Sequence, residues 1–243
     1  MKNQIHINCD VGEGIGNEAQ LMPFLSACNI ACGAHAGSLD DIKKCVQLAL
    51  ENKVEIGAHP GFPDPTNFGR LPMQMSDAAL ITSITEQIQL VQQETIEAGG
   101  NLNHIKPHGA LYHLVATQEH YAELLIASIK DIDDSLIVYV PYGSKTIDLI
   151  KVKLPYIIEG FADRSYDKNL NLVSRKAKNA LLTKQNLVLK QVEDIFKNQL
   201  TAITGQVLPF YADTICIHGD TPNAVSLLKY IHEQLQGKDN GII

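Results

Sequence analysis

The 243-residue chain contains no apolar stretch long enough to cross a membrane, and its first residues run into a predicted strand without the pattern of a signal peptide. It also has no run of lysine or arginine, and its formal net charge is −7. An acidic chain without a basic patch is a poor match for the phosphate backbone of nucleic acids. These absences argue against a membrane-spanning or nucleic-acid-binding protein, and we expect a cytoplasmic one.

Two further absences concern cysteine pairs and nucleotide motifs. No CxxC pair is present, so we expect buried free thiols in a reducing compartment rather than disulfides or a zinc site. The chain lacks GxxxxGK[ST], and no GxGxxG stands between a strand and a helix. The glycines of DVGEGIG (10–16) are, taken alone, only a weak signal for a phosphate-binding loop. The five cysteines are Cys9, Cys28, Cys32, Cys45 and Cys216.

What the sequence does contain is a set of six apolar runs that each end in ionisable residues beside glycine or proline. Each run begins like a buried β-strand. The carboxyl ends of the strands form the active-site face of a parallel (β/α) barrel, so six such ends predict one polar rim. The length and the apolar content of 45% suit a single α/β barrel domain of TIM type over residues 1–243. The runs are INCDVGEG (7–14), NIACGAHAG (29–37), VEIGAHPGFPD (54–64), HIKPHGALYH (104–113), YIIEGFADRSY (156–166) and TICIHGD (214–220).

The coarse pattern alternates strand and helix. N-cap signals at Ser38, Ser76 and Thr221-Pro222 predict the starts of three helices. Residues 60–75 hold four prolines and two glycines without periodicity, which is typical of a functional loop. A β-hairpin is predicted over residues 200–213, and a loose tail over GKDNGII at the end. Strands are predicted at 4–9, 29–33, 54–58, 103–107, 136–140, 155–159 and 213–218.

Asp10 and Glu13 directly follow the first predicted strand. The glycines around Glu13 allow a sharp turn, so both carboxylates can face one pocket and share general acid and general base work. The alternative is a helix N-terminus at which acidic residues meet free N–H groups.

His35 and His59 follow two other predicted strands, each beside glycine or proline. With Asp10 they can form a three-ligand site for a divalent metal, although no HExxH or HxxxH spacing supports it. The alternatives are a metal-free role in catalysis or substrate binding, or histidines bonded to backbone carbonyls in the core.

Lys106 and His108 end the fourth predicted strand. Alternation places His104 and Lys106 on the same side of that strand. A lysine that points into the mouth of a barrel is costly unless it meets an anion, so we expect it to bind a substrate carboxylate or phosphate. The alternative is an internal salt bridge to Asp10 or Glu159.

The two remaining strand ends carry the other candidates. Glu159, Asp163 and Arg164 cluster after the sixth predicted strand, and the planar guanidinium of Arg164 suits a carboxylate or a phosphate. An Asp163–Arg164 pair that only stabilises the loop is the alternative. His218 and Asp220 end the last strand, where Asp220 can instead support the start of the following helix.

Several motifs together resemble one known family, in the expected order from residue 7 to about residue 225. The chain is similar to the LamB/YcsF family, described as the A subunit of bacterial 5-oxoprolinase. The resemblance implies a seven-stranded variant of the (β/α) barrel, similar to the glycoside hydrolase and polysaccharide deacetylase superfamily. The motifs are INCDVGEGIG, NIACGAHAG, IGAHPGFPD with FGR, IKPHGALY, EGFADRSY, LVSRK and ICIHGD.

The resemblance further implies the ATP-dependent opening of 5-oxo-L-proline to L-glutamate, in a complex with B and C subunits. Because the chain lacks an ATP motif, we expect the partner subunits to bind ATP and phosphorylate the lactam, while the barrel adds water and phosphate is released. We expect a catalytic group of Asp10, Glu13, His59, Lys106 and His108, and a substrate-binding group of His35, Glu159, Asp163, Arg164, His218 and Asp220.

Two other classes of function stay open from the residues. The chain can be a stand-alone metal-dependent deacetylase or amidohydrolase that uses Asp10, His35 and His59. It can instead be a non-catalytic ligand-binding subunit.

Overall fold

The computed structural model describes residues 4–236, and seven parallel strands in this range close a barrel. The strand order around the barrel follows the chain, and the last barrel strand pairs with both the sixth and the first. A separate antiparallel hairpin lies outside the barrel. The barrel strands are β1 (Ile7–Val11), β2 (Ala27–Ala31), β3 (Glu55–His59), β4 (Leu102–Ile105), β5 (Ile137–Pro141), β6 (Tyr156–Phe161) and β9 (Thr214–Cys216), and the hairpin is β7 (Gln199–Thr201) with β8 (Val207–Pro209).

Helices surround the barrel and cover it with apolar side chains. Their buried stripes recur at helical spacing, as Leu80, Ile84, Ile88 and Val91 do in the longest helix. Among residues 4–236, no helix combines the length and the apolar character that crossing a bilayer requires. The helices are α1 (Glu18–Leu21), α2 (Leu39–Asn52), α3 (Asp77–Glu97), α4 (Gly109–Thr117), α5 (Glu119–Lys130), α6 (Ile147–Lys151), α7 (Gln185–Phe196) and α8 (Ala224–Leu235).

The inside of the barrel is polar rather than apolar at one level. The Asn8 side chain donates to Thr214 Oγ1 at 2.9 Å, and the Asn29 side chain donates to Asn8 Oδ1 at 2.8 Å. His104 Nε2 lies 2.8 Å from Asn29 Oδ1. Asn8 and Asn29 alternate with apolar neighbours that point outward along β1 and β2. This polar layer lies inside the barrel, directly beneath the ionisable residues at the strand ends.

The predicted barrel is confirmed, and each of its seven strands lies within three residues of the predicted bounds. Ser38 and Ser76 cap α2 and α3 as predicted, Ser38 in a capping box with Asp41. The predicted cap at Thr221 is wrong, because Asn223 occupies the N-cap of α8 in the left-handed conformation. The predicted hairpin is present, and the GKDNGII segment lies outside the described residues. All five cysteines are buried free thiols, as expected.

Candidate active site

A cavity of about 640 Å³ opens at the carboxyl ends of the barrel strands. Its wall combines strand ends with residues from the 60–75 loop and from the segment after β6. Three of the eleven predicted site residues, His35, Glu159 and Asp163, lie behind this wall and contact residues that line it. The eight that line the cavity are Asp10, Glu13, His59, Lys106, His108, Arg164, His218 and Asp220.

The floor of the cavity is a buried ionic group centred on Lys106. Its ammonium lies 2.8 Å from Asp10 Oδ1 and 2.9 Å from Glu159 Oε1. Asn29 donates to the same Asp10 oxygen at 2.7 Å, and Tyr112 donates to Glu159 Oε2 at 2.6 Å. Lys106 therefore forms the internal salt bridge that sequence reasoning left open as the alternative to binding a substrate anion.

This arrangement keeps Asp10 and Lys106 in their charged forms. Burial alone raises the pKa of Asp10, but the charges of His59 and Lys106 outweigh it and hold that pKa well below its usual value. Burial likewise lowers the pKa of Lys106, yet the neighbouring Asp10, Cys216 and Glu159 raise it well above the ordinary value. Asp10 is therefore an ionised carboxylate, and its Oδ2 lies 3.4 Å from His59 Nε2.

A second group places one carboxylate among three imidazole rings. Glu13 Oε1 lies 3.4 Å from His108 Nδ1, 3.7 Å from His35 Nε2 and 3.9 Å from His59 Nε2. His35 stacks on His108 with ring centroids 3.8 Å apart. Burial and then the charges of His59 and His35 lower the pKa of His108 far below its usual value. Asp10 belongs to β1 and Glu13 to the turn after it, so neither caps a helix and the capping alternative does not hold.

Glycine makes the close approach around His108 possible. Gly69 has φ +60°, and a Cβ there would lie 3.0 Å from both His35 and His108. The turn places the Phe68 carbonyl 2.9 Å from His108 Nε2. The irregular 60–75 loop thus contributes directly to the site, as its composition predicted.

On the other side of the cavity, Asp163 and His218 form a charged pair. Asp163 accepts from the His218 backbone N–H at 3.0 Å, and its carboxylate lies 3.0 Å from His218 Nδ1. The Thr221 hydroxyl also donates to Asp163. Burial alone lowers the pKa of His218, but Asp163 more than compensates and the net shift is upward. Asp163 therefore pairs with His218 rather than with Arg164, which instead donates to the Val173 carbonyl at 2.7 Å.

The mouth of the cavity is basic although the chain is acidic overall. Asp220 Oδ2 accepts from Arg70 at 2.8 Å and from Arg175 at 3.4 Å, so this carboxylate links two loops rather than capping α8. Arg164 also lines the mouth, and within residues 4–236 its buried Nε has no hydrogen-bond partner. Burial and then the charge of Arg175 lower the pKa of Arg164. Two guanidinium groups share one carboxylate and a third also lines the cavity, so this side of the cavity favours an anionic ligand.

Sequence reasoning missed several residues of the site. Asn29 orients Asp10, Tyr112 holds Glu159, and Arg70 and Arg175 build the mouth. Strand pairing carries the signal for Asn29, because Asp10 and Asn29 are register partners on β1 and β2. The arginines come from irregular segments, for which no periodicity predicts a direction.

Fold and site together define a parallel (β/α)-barrel protein with paired acidic and basic groups at the carboxyl end of its strands. The chain belongs to the LamB/YcsF family, whose model matches residues 5–242. This confirms the resemblance seen in the motifs. A curated relative, the A subunit of 5-oxoprolinase from Bacillus cytotoxicus, is 39% identical over 235 residues, which are 94% of this chain and 93% of the relative.

Solved structures agree with the fold. A lactam utilization protein from Thermus thermophilus matches with a TM-score of 0.91 and 29% identity over 98% of both chains. A family 4 carbohydrate esterase from Streptomyces lividans, in complex with acetate, matches with a TM-score of 0.51 and 12% identity over 98% of this chain and 91% of its own. At that identity the esterase supports only the shared barrel, and the predicted similarity to the deacetylase fold is confirmed.

Proposed function

We propose that the chain is the A subunit of an ATP-dependent 5-oxoprolinase that opens 5-oxo-L-proline to L-glutamate together with B and C subunits. The observation that carries the proposal is the 39% identity, over nearly the whole chain, to a protein named as the A subunit of 5-oxoprolinase. That name describes one part of a multisubunit enzyme. The basic mouth and the acid–base residues behind it suit an anionic substrate that must be hydrolysed.

The chemistry divides into two halves. The partner subunits transfer the γ-phosphoryl group of ATP to the lactam oxygen and release ADP, which makes the lactam carbon electrophilic. In the barrel, water adds to that carbon, the C–N bond breaks, and the ring nitrogen leaves with a proton to give γ-glutamyl phosphate. A second water then cleaves this acyl phosphate to glutamate and phosphate.

Asp10 and His218 are the acid–base pair for the step in the barrel. Their environments push their pKa values apart, Asp10 downward and His218 upward, which is how paired groups take up opposite roles. Lys106 and Asn29 occupy Asp10 Oδ1, so Oδ2 is the oxygen that accepts a proton from water. Protonated His218, held through Nδ1 by Asp163, donates a proton to the leaving nitrogen. A ring nitrogen of His218 lies within 4.8 Å of a carboxylate oxygen of Asp10, so both groups can reach one substrate.

The basic mouth binds the anionic parts of the substrate. Arg164 takes the α-carboxylate or the phosphate in the planar geometry that a guanidinium offers. Arg70 and Arg175 both form ion pairs with Asp220. The one carboxylate holds the two guanidinium groups in place but neutralises only one of their two positive charges. We assign Lys106 the positioning of Asp10 in place of the expected contact with the substrate, because its ammonium is paired with the carboxylates of Asp10 and Glu159.

An omission assay tests this division of labour. The chain is coexpressed with B and C subunits of a 5-oxoprolinase, and glutamate is measured after addition of 5-oxoproline and ATP. We expect glutamate only from the three-subunit mixture and none from the purified single chain, which has no nucleotide motif. Robust ATP-dependent glutamate release by the single chain would contradict the proposal, and so would a complete mixture that forms none.

Asp163→Asn is expected to move the pH profile of the assembled enzyme. Asp163 raises the pKa of His218, so its loss lowers that pKa. The protonated acid then disappears at a lower pH, and the fall of kcat on the alkaline side begins earlier than in the wild type. The measurement is kcat against pH, with the exposed Asp134→Asn as a matched control. An unshifted alkaline limb in a folded Asp163→Asn enzyme would show that His218 is not the acid.

A further inference from the structure

The group around Glu13 contains three donor atoms with the spacing of metal ligands. His59 Nε2 lies 3.0 Å from His108 Nδ1, and Glu13 Oε1 lies 3.4 Å from His108 Nδ1 and 3.9 Å from His59 Nε2. Metal bonds of about 2.0–2.2 Å place the ligands of one ion roughly 3.0–3.5 Å apart in octahedral or tetrahedral geometry. Two of the three separations fall in this range, and the third needs only a small movement of the Glu13 side chain.

The hydrogen bonds of the two rings decide which nitrogens face inward. His59 Nδ1 lies 2.6 Å from the Lys106 carbonyl, and His108 Nε2 lies 2.9 Å from the Phe68 carbonyl. A carbonyl only accepts, so these two nitrogens carry protons, and the other nitrogens, His59 Nε2 and His108 Nδ1, face each other. At 3.0 Å these two nitrogens need an electrophile between them, which is either a proton or a metal ion. A donor bond from the outer ring nitrogen to a carbonyl is also the usual support of a metal-binding histidine.

The Glu13 carboxylate supplies the third donor atom beside the two histidine nitrogens. The Glu13 side chain is 6% exposed, and its Oε1 has no hydrogen-bond partner within the described part of the chain. A buried carboxylate oxygen without a partner is costly unless a cation meets it.

We propose that Glu13, His59 and His108 bind one divalent transition metal ion of the zinc type. Two imidazoles and one carboxylate form a ligand set found in catalytic zinc sites, which keep a further position open for water or substrate. All three residues line the cavity, so the open position faces the substrate. This set differs from the one considered from sequence, because Glu13 and His108 take the places of Asp10 and His35. His35 stacks on His108 and orients its ring.

Metal binding to the chain tests the inference without any activity assay, so its failure is distinguishable from failure of the proposed function. The purified chain is stripped with a chelator and titrated with Zn²⁺, and bound metal is measured after dialysis. We expect one ion per chain, and Co²⁺ in its place should give a visible absorption spectrum. Glu13→Gln and His108→Gln should each weaken Zn²⁺ binding by at least about a hundredfold, the upper range for residues that merely orient ligands. The exposed His120→Gln should leave binding unchanged.

A second cluster of the described residues provides the decisive comparison. Ligand atoms of Asp10, Cys216 and His218 also lie within 4.8 Å of one another. If Cys216→Ser loses the metal while Glu13→Gln keeps it, the ion belongs to that cluster and the assignment is wrong. A folded wild-type chain that binds no Zn²⁺ also overturns it. Circular dichroism verifies folding, and Glu13→Gln, which keeps the side-chain volume, decides the outcome if the His108 variant does not fold.

Discussion

Replacing Asp10 with asparagine is expected to lower the turnover of the assembled enzyme by roughly a hundredfold or more, the range for loss of a general base. Asparagine keeps the shape of the side chain, but it cannot accept the proton of the attacking water. Lys106 retains Glu159 as an ionic partner, so the fold should survive. The measurement is kcat for glutamate formation, with thermal unfolding recorded beside it.

The exposed Asp40→Asn on α2 is the matched control and should keep wild-type turnover. If a folded Asp10→Asn enzyme also keeps wild-type turnover, Asp10 has only a structural role. Glu13 would then be the remaining candidate for the base in this wall of the cavity.

Lys106→Met is expected to destabilise the fold by about 3–5 kcal/mol, the usual cost of removing one partner from a buried ionic group. Methionine fills the volume of the lysine stem but removes the cation that Asp10 and Glu159 share. The pKa of Asp10 is lowered in the fold, so the stability that it supplies is present above its unfolded pKa and is lost as pH falls through the folded value. The difference in the free energy of unfolding between wild type and variant should therefore become smaller at low pH.

Chemical denaturation at several pH values measures this difference. Lys151→Met is the control, because Lys151 forms an exposed ion pair with Asp148 and its loss should have little effect. Adding Glu159→Gln to Lys106→Met removes one of the stranded charges and should recover part of the lost stability. A Lys106→Met variant as stable as the wild type would mean that the lysine is not needed to balance the two carboxylates.

The positions of the site residues could be predicted from sequence because strand ends are local features. An apolar run followed by glycine, proline and ionisable residues marks the end of a strand, and parallel strands bring their ends together. Alternation also placed His104 and Lys106 on the same side of the fourth predicted strand, which the structure confirms through their contacts with Asn29 and Asp10.

The pairing of those residues could not be predicted, because it depends on distances across the barrel. Lys106 has two carboxylates within 3 Å, and only closure of the barrel shows that both reach it. Asp163 pairs with His218, 55 residues away, rather than with its neighbour Arg164. Nothing local in the sequence distinguishes these partners.

The cap of α8 shows how a tertiary contact overrides a local signal. Thr221 before Pro222 has the pattern of an N-cap, but its hydroxyl donates to Asp163 across the site. The helix begins three residues later, after Asn223. Thr221 therefore uses its hydroxyl to hold Asp163 in the site and does not cap the helix.

The ratio of glutamate to ADP formed by the assembled enzyme tests the central claim most directly. The claim is that the partner subunits phosphorylate the lactam and that this barrel hydrolyses it. With the wild-type chain we expect equal amounts of ADP and glutamate. With Asp10→Asn in the same complex, glutamate should fall far below ADP, because activation continues while hydrolysis fails. Equal amounts at the wild-type rate with the Asp10→Asn chain would contradict the claim.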